Sequence, residues 1–232
     1  TIALTLAGLI CDLKPGDEVI VPNYTMIATS NAFRPLGAKI ILVDIEKDSL
    51  CISQKEAEKY ITAKTKAIVL MNSNGRYPSY DVSEWKTKLN KKGIYLIEDA
   101  AQSLGSRYPN NKHIGSLSNV ATLSFSTPKI ISTGQGGMVI TNDDDLADKA
   151  RKLKDFGRST GGNDVHDEIG FNFKFTDIQA VVGLNQMKSL NERIIKKREI
   201  YDCYQSFLSN IPNVKLIFND TKTTTPWFYE IL

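Results

Sequence analysis

Short runs of four to six apolar residues, each separated from the next by a segment of helical period, recur along the first 141 residues and constrain the fold most. The runs fall at 18–21, 39–43, 67–71, 94–97, 121–125 and 137–141, with helices expected at 3–13, 26–36, 54–61 and 82–91. Most of them are apolar at successive positions, so both faces of each strand need cover, and strands separated by helices meet that need in a parallel sheet layered by helices. Lys14, Pro15, Gly16 and Asp17 close the first helix with a turn, and Gly37 stands where a helix favours a left-handed cap. The fold class read from this pattern is α/β, with a mostly parallel central sheet.

Beyond Asp143 the character changes. A charged amphipathic helix is expected over 145–156, a Gly-, Asn- and Asp-rich loop over 159–167, one long helix over 176–200 and a strand over 227–232. Residues 1–190 are assigned to a large α/β domain and 191–232 to the start of a smaller α+β domain. The apolar start at Thr1, with no cap ahead of it, and the abrupt end read as a piece cut from a longer protein.

Composition removes several classes. With 41% hydrophobic and 24% charged residues the chain is neither disordered nor fibrous, and a net charge of +3 with scattered basic residues leaves no nucleic-acid footprint. The run Lys196, Lys197, Arg198 reads as a solvated helix face. Cys11, Cys51 and Cys203 are in no metal-ligand spacing and read as incidental thiols of a reducing compartment; no metal is expected. No apolar run reaches the ~18 residues that span a bilayer and no secretory leader is visible, so a cytoplasmic location without membrane contact is expected.

Three pieces carry chemistry: Ile97, Glu98, Asp99, Ala100, Ala101 and Gln102 at a strand end; residues 124–129 ending in Lys129; and Gly134, Gln135, Gly136, Gly137. In an open α/β sheet ligands collect beyond the carboxyl ends of strands, where Asp99, Ser124 and Lys129 all fall. Singly, each has a plain explanation, since an aspartate after a strand caps a helix and a lone lysine is solvated.

Together with the motifs at 16–22, 37–45, 65–68 and 170–174, in this order and over nearly the whole chain, they resemble the DegT/DnrJ/StrS sugar-nucleotide aminotransferases. That resemblance implies the aspartate-aminotransferase-like fold (fold type I) and pyridoxal 5'-phosphate (PLP), which becomes pyridoxamine 5'-phosphate (PMP) during turnover. It makes Lys129 the lysine that bonds to the cofactor and then shuttles protons, and Asp99 the carboxylate that keeps the pyridine nitrogen protonated. Gln102, one helical turn beyond Asp99, is expected to contact the ring hydroxyl, and Ser124 to donate to the phosphate. Thr1, with Ile2 beside it, resembles a phosphate-binding helix start. Asn172, with Lys174 as the other candidate, is the residue implied to reach a neighbouring subunit's site, in a homodimer whose active sites are shared.

Three positions depart from the family pattern. Met26 replaces an aromatic ring over the cofactor, Gln135 replaces a glutamate, and Asn72, Ser73, Asn74, Gly75, Arg76 replace a histidine-containing loop. Arg76 is open to two readings, a contact to a donor carboxylate or sugar-linked phosphate, or a surface arginine. The activity implied is transfer of an amino group from glutamate to a nucleotide-linked 4-keto-6-deoxy sugar. Residues 25–32 and Pro226, Trp227, Phe228 are similar to the perosamine-synthase subgroup. A sugar 3-dehydratase of the same fold carries histidine in place of Lys129, and a non-catalytic ligand-binding regulator has no need of the retained site residues.

Overall fold

The computed structural model describes residues 1–159 and 164–232, so 160–163 of the expected Gly- and Asn-rich loop lie outside the described residues. Strands β1 (Glu18–Pro22), β2 (Lys39–Val43), β3 (Thr65–Met71), β4 (Tyr95–Asp99), β5 (Val120–Ser124) and β6 (Gly137–Ile140) form one sheet in the order β2-β1-β3-β4-β5-β6. The first five are parallel; β6 runs antiparallel to β5, with Ser124 opposite Gly137. The α/β architecture expected from the alternating runs is the one observed.

Alternate side chains of each strand leave on opposite faces. Val19, Val21, Ala67, Val69 and Ile97 join one buried cluster with Leu4, Ala7 and Ile10 of helix α1 (Ile2–Ile10) and Leu146 and Leu153 of α5 (Asp144–Leu153). Ile20, Ile68, Leu70 and Leu96 join the other with Trp85 and Leu89 of α4 (Val82–Asn90) and Ala57 of α3 (Gln54–Lys59). Each fully buried aliphatic side chain contributes about 1.5–3 kcal/mol. The same alternation sends Glu98 to one face and Asp99 to the other. Ser53, Asp81 and Asp143 start their helices by accepting the third amide, which satisfies donors the helix leaves unpaired.

Three expectations need correction. The helix expected at 26–36 divides into α2 (Ile27–Asn31) and a single 3-10 turn (Arg34–Leu36), because Pro35 has no amide to donate; Gly37 caps it with φ 77°. The long helix expected at 176–200 is two, α6 (Asp177–Met187) and α7 (Leu190–Leu208). Ser189 leaves the helical region at ψ 10° and its hydroxyl accepts from Arg193 Nε at 3.2 Å. Residues 227–232 are not a strand beyond one antiparallel bridge, Leu216 to Ile231, because upstream of it the backbone is bonded to the Asn74 side chain instead.

The basic run is likewise not simply a solvated face. Lys196 pairs with Glu199, but Lys197 Nζ donates to Trp227 O (3.2 Å) and Arg198 Nε to Thr224 O (2.9 Å), fastening the segment after α7. Cys11 and Cys51 are buried free thiols and Cys203 is exposed. Among the described residues, no helix is long and apolar enough to cross a membrane.

Candidate active site

β4 delivers Asp99 to the carboxyl edge of the sheet on the α1 side. Its carboxylate is 3% exposed. Thr29 of α2 donates its hydroxyl to Oδ2 at 2.7 Å and Ala101 N–H donates to Oδ1 at 3.2 Å. Thr25 Oγ1 lies 2.7 Å from Thr29 Oγ1, and because the Thr29 proton is engaged by the carboxylate, Thr25 is the donor of that pair. Burial holds the Asp99 carboxyl above its ordinary range, while the two donors and the Lys129 charge pull it back. A buried acid with one side left open suits a cationic partner.

Lys129 sits on the loop that joins β5 to β6. Phe125 N–H donates to Gly136 O at 2.9 Å and Thr133 N–H to Phe125 O at 2.9 Å, so the loop is pinched at its base. Among the described residues the Lys129 amine has no hydrogen-bonding partner; its neighbour is the Trp227 ring, with Nζ 3.5 Å from the centroid. Burial pushes the amine down to about 8, against the opposing pull of Asp99. Such an amine exchanges between charged and neutral forms near neutral pH, as a nucleophile or general base requires.

Thr1, Ile2, Met26, Asp99, Gln102, Ser124, Lys129 and Asn172 all line one cavity of about 1140 Å³. Ser124, at the end of β5, lies with its Oγ 3.3 Å from Ser126 Oγ, so two hydroxyls face the cavity where the sequence pointed to one. Thr1 and Ile2 bring the start of α1 to the same cavity. Met26 is 60% exposed on the rim, and its Sδ accepts from Ala28 N–H at 3.1 Å. Asn172 and Lys174 line the cavity of their own chain; Asn172 is bridged to Asp155, and Lys174 pairs with Asp155 at 2.5 Å. Gln102 is on a turn, not a helix, since β4 is followed by turns; its Oε1 accepts from Asn74 N–H at 2.7 Å. Among the described residues no cluster of His, Cys, Asp and Glu is arranged to hold a metal ion.

The 72–76 loop contributes differently from the sequence reading. Arg76 is 4% exposed and neither reaches the cavity nor lies on the surface; both its terminal nitrogens bond Glu230 at 2.9 Å. Asn74, at φ 55°, accepts from Trp227 N–H (2.7 Å) and Phe228 N–H and donates to Phe228 O and Glu230 Oε2. Thr29 and Asn74 are site residues the sequence did not reveal: Asp99 lies 70 positions from Thr29 and Trp227 lies 153 from Asn74, and neither residue type is unusual in its segment.

Comparison with known proteins agrees with this geometry. The family model described as the DegT/DnrJ/EryC1/StrS aminotransferase family matches residues 1–232. GDP-perosamine synthase of Escherichia coli O157:H7 is 37% identical over 100% of this chain, which spans 63% of that protein's length. The aminotransferase TlmJ from Streptoalloteichus hindustanus superposes with a TM-score of 0.88 at 28% identity, over 98% of this chain and 62% of its own. The structure of ntda from Bacillus subtilis with bound cofactor PMP gives 0.87 at 28% identity, over 99% of this chain and 52% of its own. With its strand-end acid, its loop lysine and a match along its whole length, the chain belongs to the DegT/DnrJ/EryC1/StrS aminotransferase family.

Proposed function

We propose that the protein transfers an amino group from glutamate to a nucleotide-linked 4-keto-6-deoxy sugar, using PLP bound at the cavity of Asp99 and Lys129. The observation that carries the reading is the pairing, in one cavity, of a buried carboxylate oriented by Thr29 with an otherwise unpaired, burial-depressed amine. The perosamine synthase relative supports the sugar class, and the PMP bound in the Bacillus subtilis structure supports the cofactor.

The residues present fit the group. Asp99, desolvated and held in place by Thr29 and Ala101, would accept from a protonated ring nitrogen, whose charge would offset the cost of its burial. Ser124 and Ser126 would offer hydroxyls, and the start of α1 at Thr1 and Ile2 a helix N-terminus, to a phosphate. Gln102, its Oε1 held by Asn74 N–H, would have its amide nitrogen left to donate to a ring oxygen. When bound, PLP supplies the aldehyde and the electron sink for transamination. Lys129 would supply the amine that holds the cofactor, and its Nζ would be the group that takes up and gives back a proton in the reaction. Its position near 8 lets it do both around neutral pH.

The exposed apolar side chains of α6, Ile178, Val181, Leu184 and Met187, support a homodimer, with Asn172 on the rim as the contribution to a shared site. Residues 191–232 begin the smaller domain in this reading, and the free thiols suit a reducing cytoplasm.

The test is an absorbance spectrum of the PLP-supplemented protein before and after glutamate, beside Lys129→Ala. A visible cofactor band that moves to the PMP position only with Lys129 present is expected. A folded wild-type chain that takes up no cofactor refutes the proposal.

A further inference from the structure

Trp227 has no part in the chemistry proposed above, yet it is the group the Lys129 amine touches. Four contacts fix the ring. Its Nε1–H donates to Pro128 O at 2.9 Å, the residue before the lysine. Its backbone N–H donates to Asn74 Oδ1 at 2.7 Å, its carbonyl accepts from Lys197 Nζ at 3.2 Å, and the Phe228 ring stacks on it with centroids 3.8 Å apart. Asn74 is itself buried, and its own N–H is bonded to Gln102 on the cavity wall.

We infer that Trp227 is the positioning residue of the Lys129 amine: an indole cover, hung from Asn74, that excludes water from Nζ and holds it at the mouth of the cavity. The inference rests on the reading of Lys129 as the cofactor-binding amine. Two effects of the ring oppose each other. Its π face favours the ammonium, whereas loss of the water it displaces disfavours it. Burial wins, as the direction of the lysine's shift requires. The charge that faces the amine is the Asp99 carboxylate, and the Lys197 ammonium, bonded to the Trp227 carbonyl, lines the same small cleft as Lys129 and the indole. Neither of these is moved by replacing Trp227.

The experiment is competitive acetylation of Lys129 by a trace of acetic anhydride across pH, read by mass spectrometry of the Lys129 peptide, on the full chain before PLP is added. Trp227→Ala is expected to raise the midpoint by about one pH unit or more towards an ordinary lysine. Trp227→Phe, which keeps an apolar cover, is expected to hold it within about half a unit of the parent. Closure of the buried thiols of Cys11 and Cys51 to iodoacetamide certifies that each variant is folded, and if Trp227→Ala fails that check the Phe and Asn74→Ala variants decide. Asn74→Ala leaves the indole but removes its anchor, and a midpoint raised part of the way is expected.

A folded Trp227→Ala with the parent's midpoint overturns the inference, as does a Phe variant shifted as far as the Ala variant or an Asn74→Ala midpoint equal to the parent's. Failure of the functional reading looks different: no variant, parent included, acquires a cofactor band, while the acetylation midpoints still separate Ala from Phe.

Discussion

Replacing Arg76 by methionine should destabilise the fold by about 3 kcal/mol, and the structure shows where that comes from. The guanidinium is 4% exposed and makes four hydrogen bonds to the segment after α7: two to the Glu230 carboxylate at 2.9 Å, one to Phe218 O at 2.9 Å and one to Ile217 O at 3.1 Å. Charge-assisted bonds are worth about 1.5–3 kcal/mol each, and a stranded carbonyl costs about 1–3 kcal/mol. Those figures do not add, because the Glu230 side chain is 16% exposed and recovers some hydration, which puts the net near the lower end of the ~3–5 kcal/mol for breaking a buried pair. The assay is urea unfolding followed by tryptophan fluorescence, since the chain has two tryptophans, one in the core and one over Lys129. A double variant, Arg76→Met with Glu230→Met, should recover most of the loss, because no unpaired charge remains. A single variant within ~0.5 kcal/mol of the parent, or a double variant no better than the single, refutes the reasoning.

Further outcomes follow from other sites. Trp85 is buried edge-on against Tyr80 at 5.0 Å, but among the described residues its Nε1 has no partner, so Trp85→Phe should cost about 1 kcal/mol and Trp85→Ala about 3–5 kcal/mol in the same urea titration. Gly75 has φ +81° and a Cβ there would lie 2.5 Å from Thr225 O, so Gly75→Ala should lower Tm by about 4–8 °C by calorimetry. Burial pushes Glu98 up to about 7 from 4.5, against the opposing pull of the hydroxyl that Tyr108 donates to it. An acid raised in the folded state is stabilising below its unfolded value, so stability should fall as pH rises from 4.5 through about 7, and Glu98→Gln should flatten that slope in unfolding curves at pH 5 and 8.

The sheet and its helices were legible because strand burial writes itself as local apolar runs; the expected and observed spans of β2 coincide, and those of β3 and α4 differ by no more than two residues at an end. Asp99, Ser124 and Lys129 were legible for a related reason, that strand ends are visible and ligands gather beyond them. What failed did so through tertiary context. Nothing near Arg76 announces a carboxylate 154 positions on, so its burial was missed. Residues 227–232 carry strand-like side chains, but the amides of Trp227 and Phe228 are committed to Asn74, which leaves only the Leu216–Ile231 bridge. Lys188 and Ser189 are compatible with a helix, and only Gln186, tied by its side chain to both the N–H and the carbonyl of Ser132, marks the place where α6 must stop.

Ser124 and Gly137 are register partners, so the segment carrying Lys129 leaves the sheet and returns to it at adjacent positions, closed by its own base pair of amide bonds. The sheet therefore tolerates changes in that segment's length: doubling it adds only about 0.6 kcal/mol of closure entropy. The amine does not, because every added residue moves Nζ relative to an acid fixed on a different strand. Fold and chemistry thus answer to different tolerances at the same dozen residues. The segment behaves as an exchangeable cassette for the architecture and as a fixed-length arm for the reaction, and a graft of foreign residues between Ser124 and Gly137 would yield folded proteins far more often than working ones.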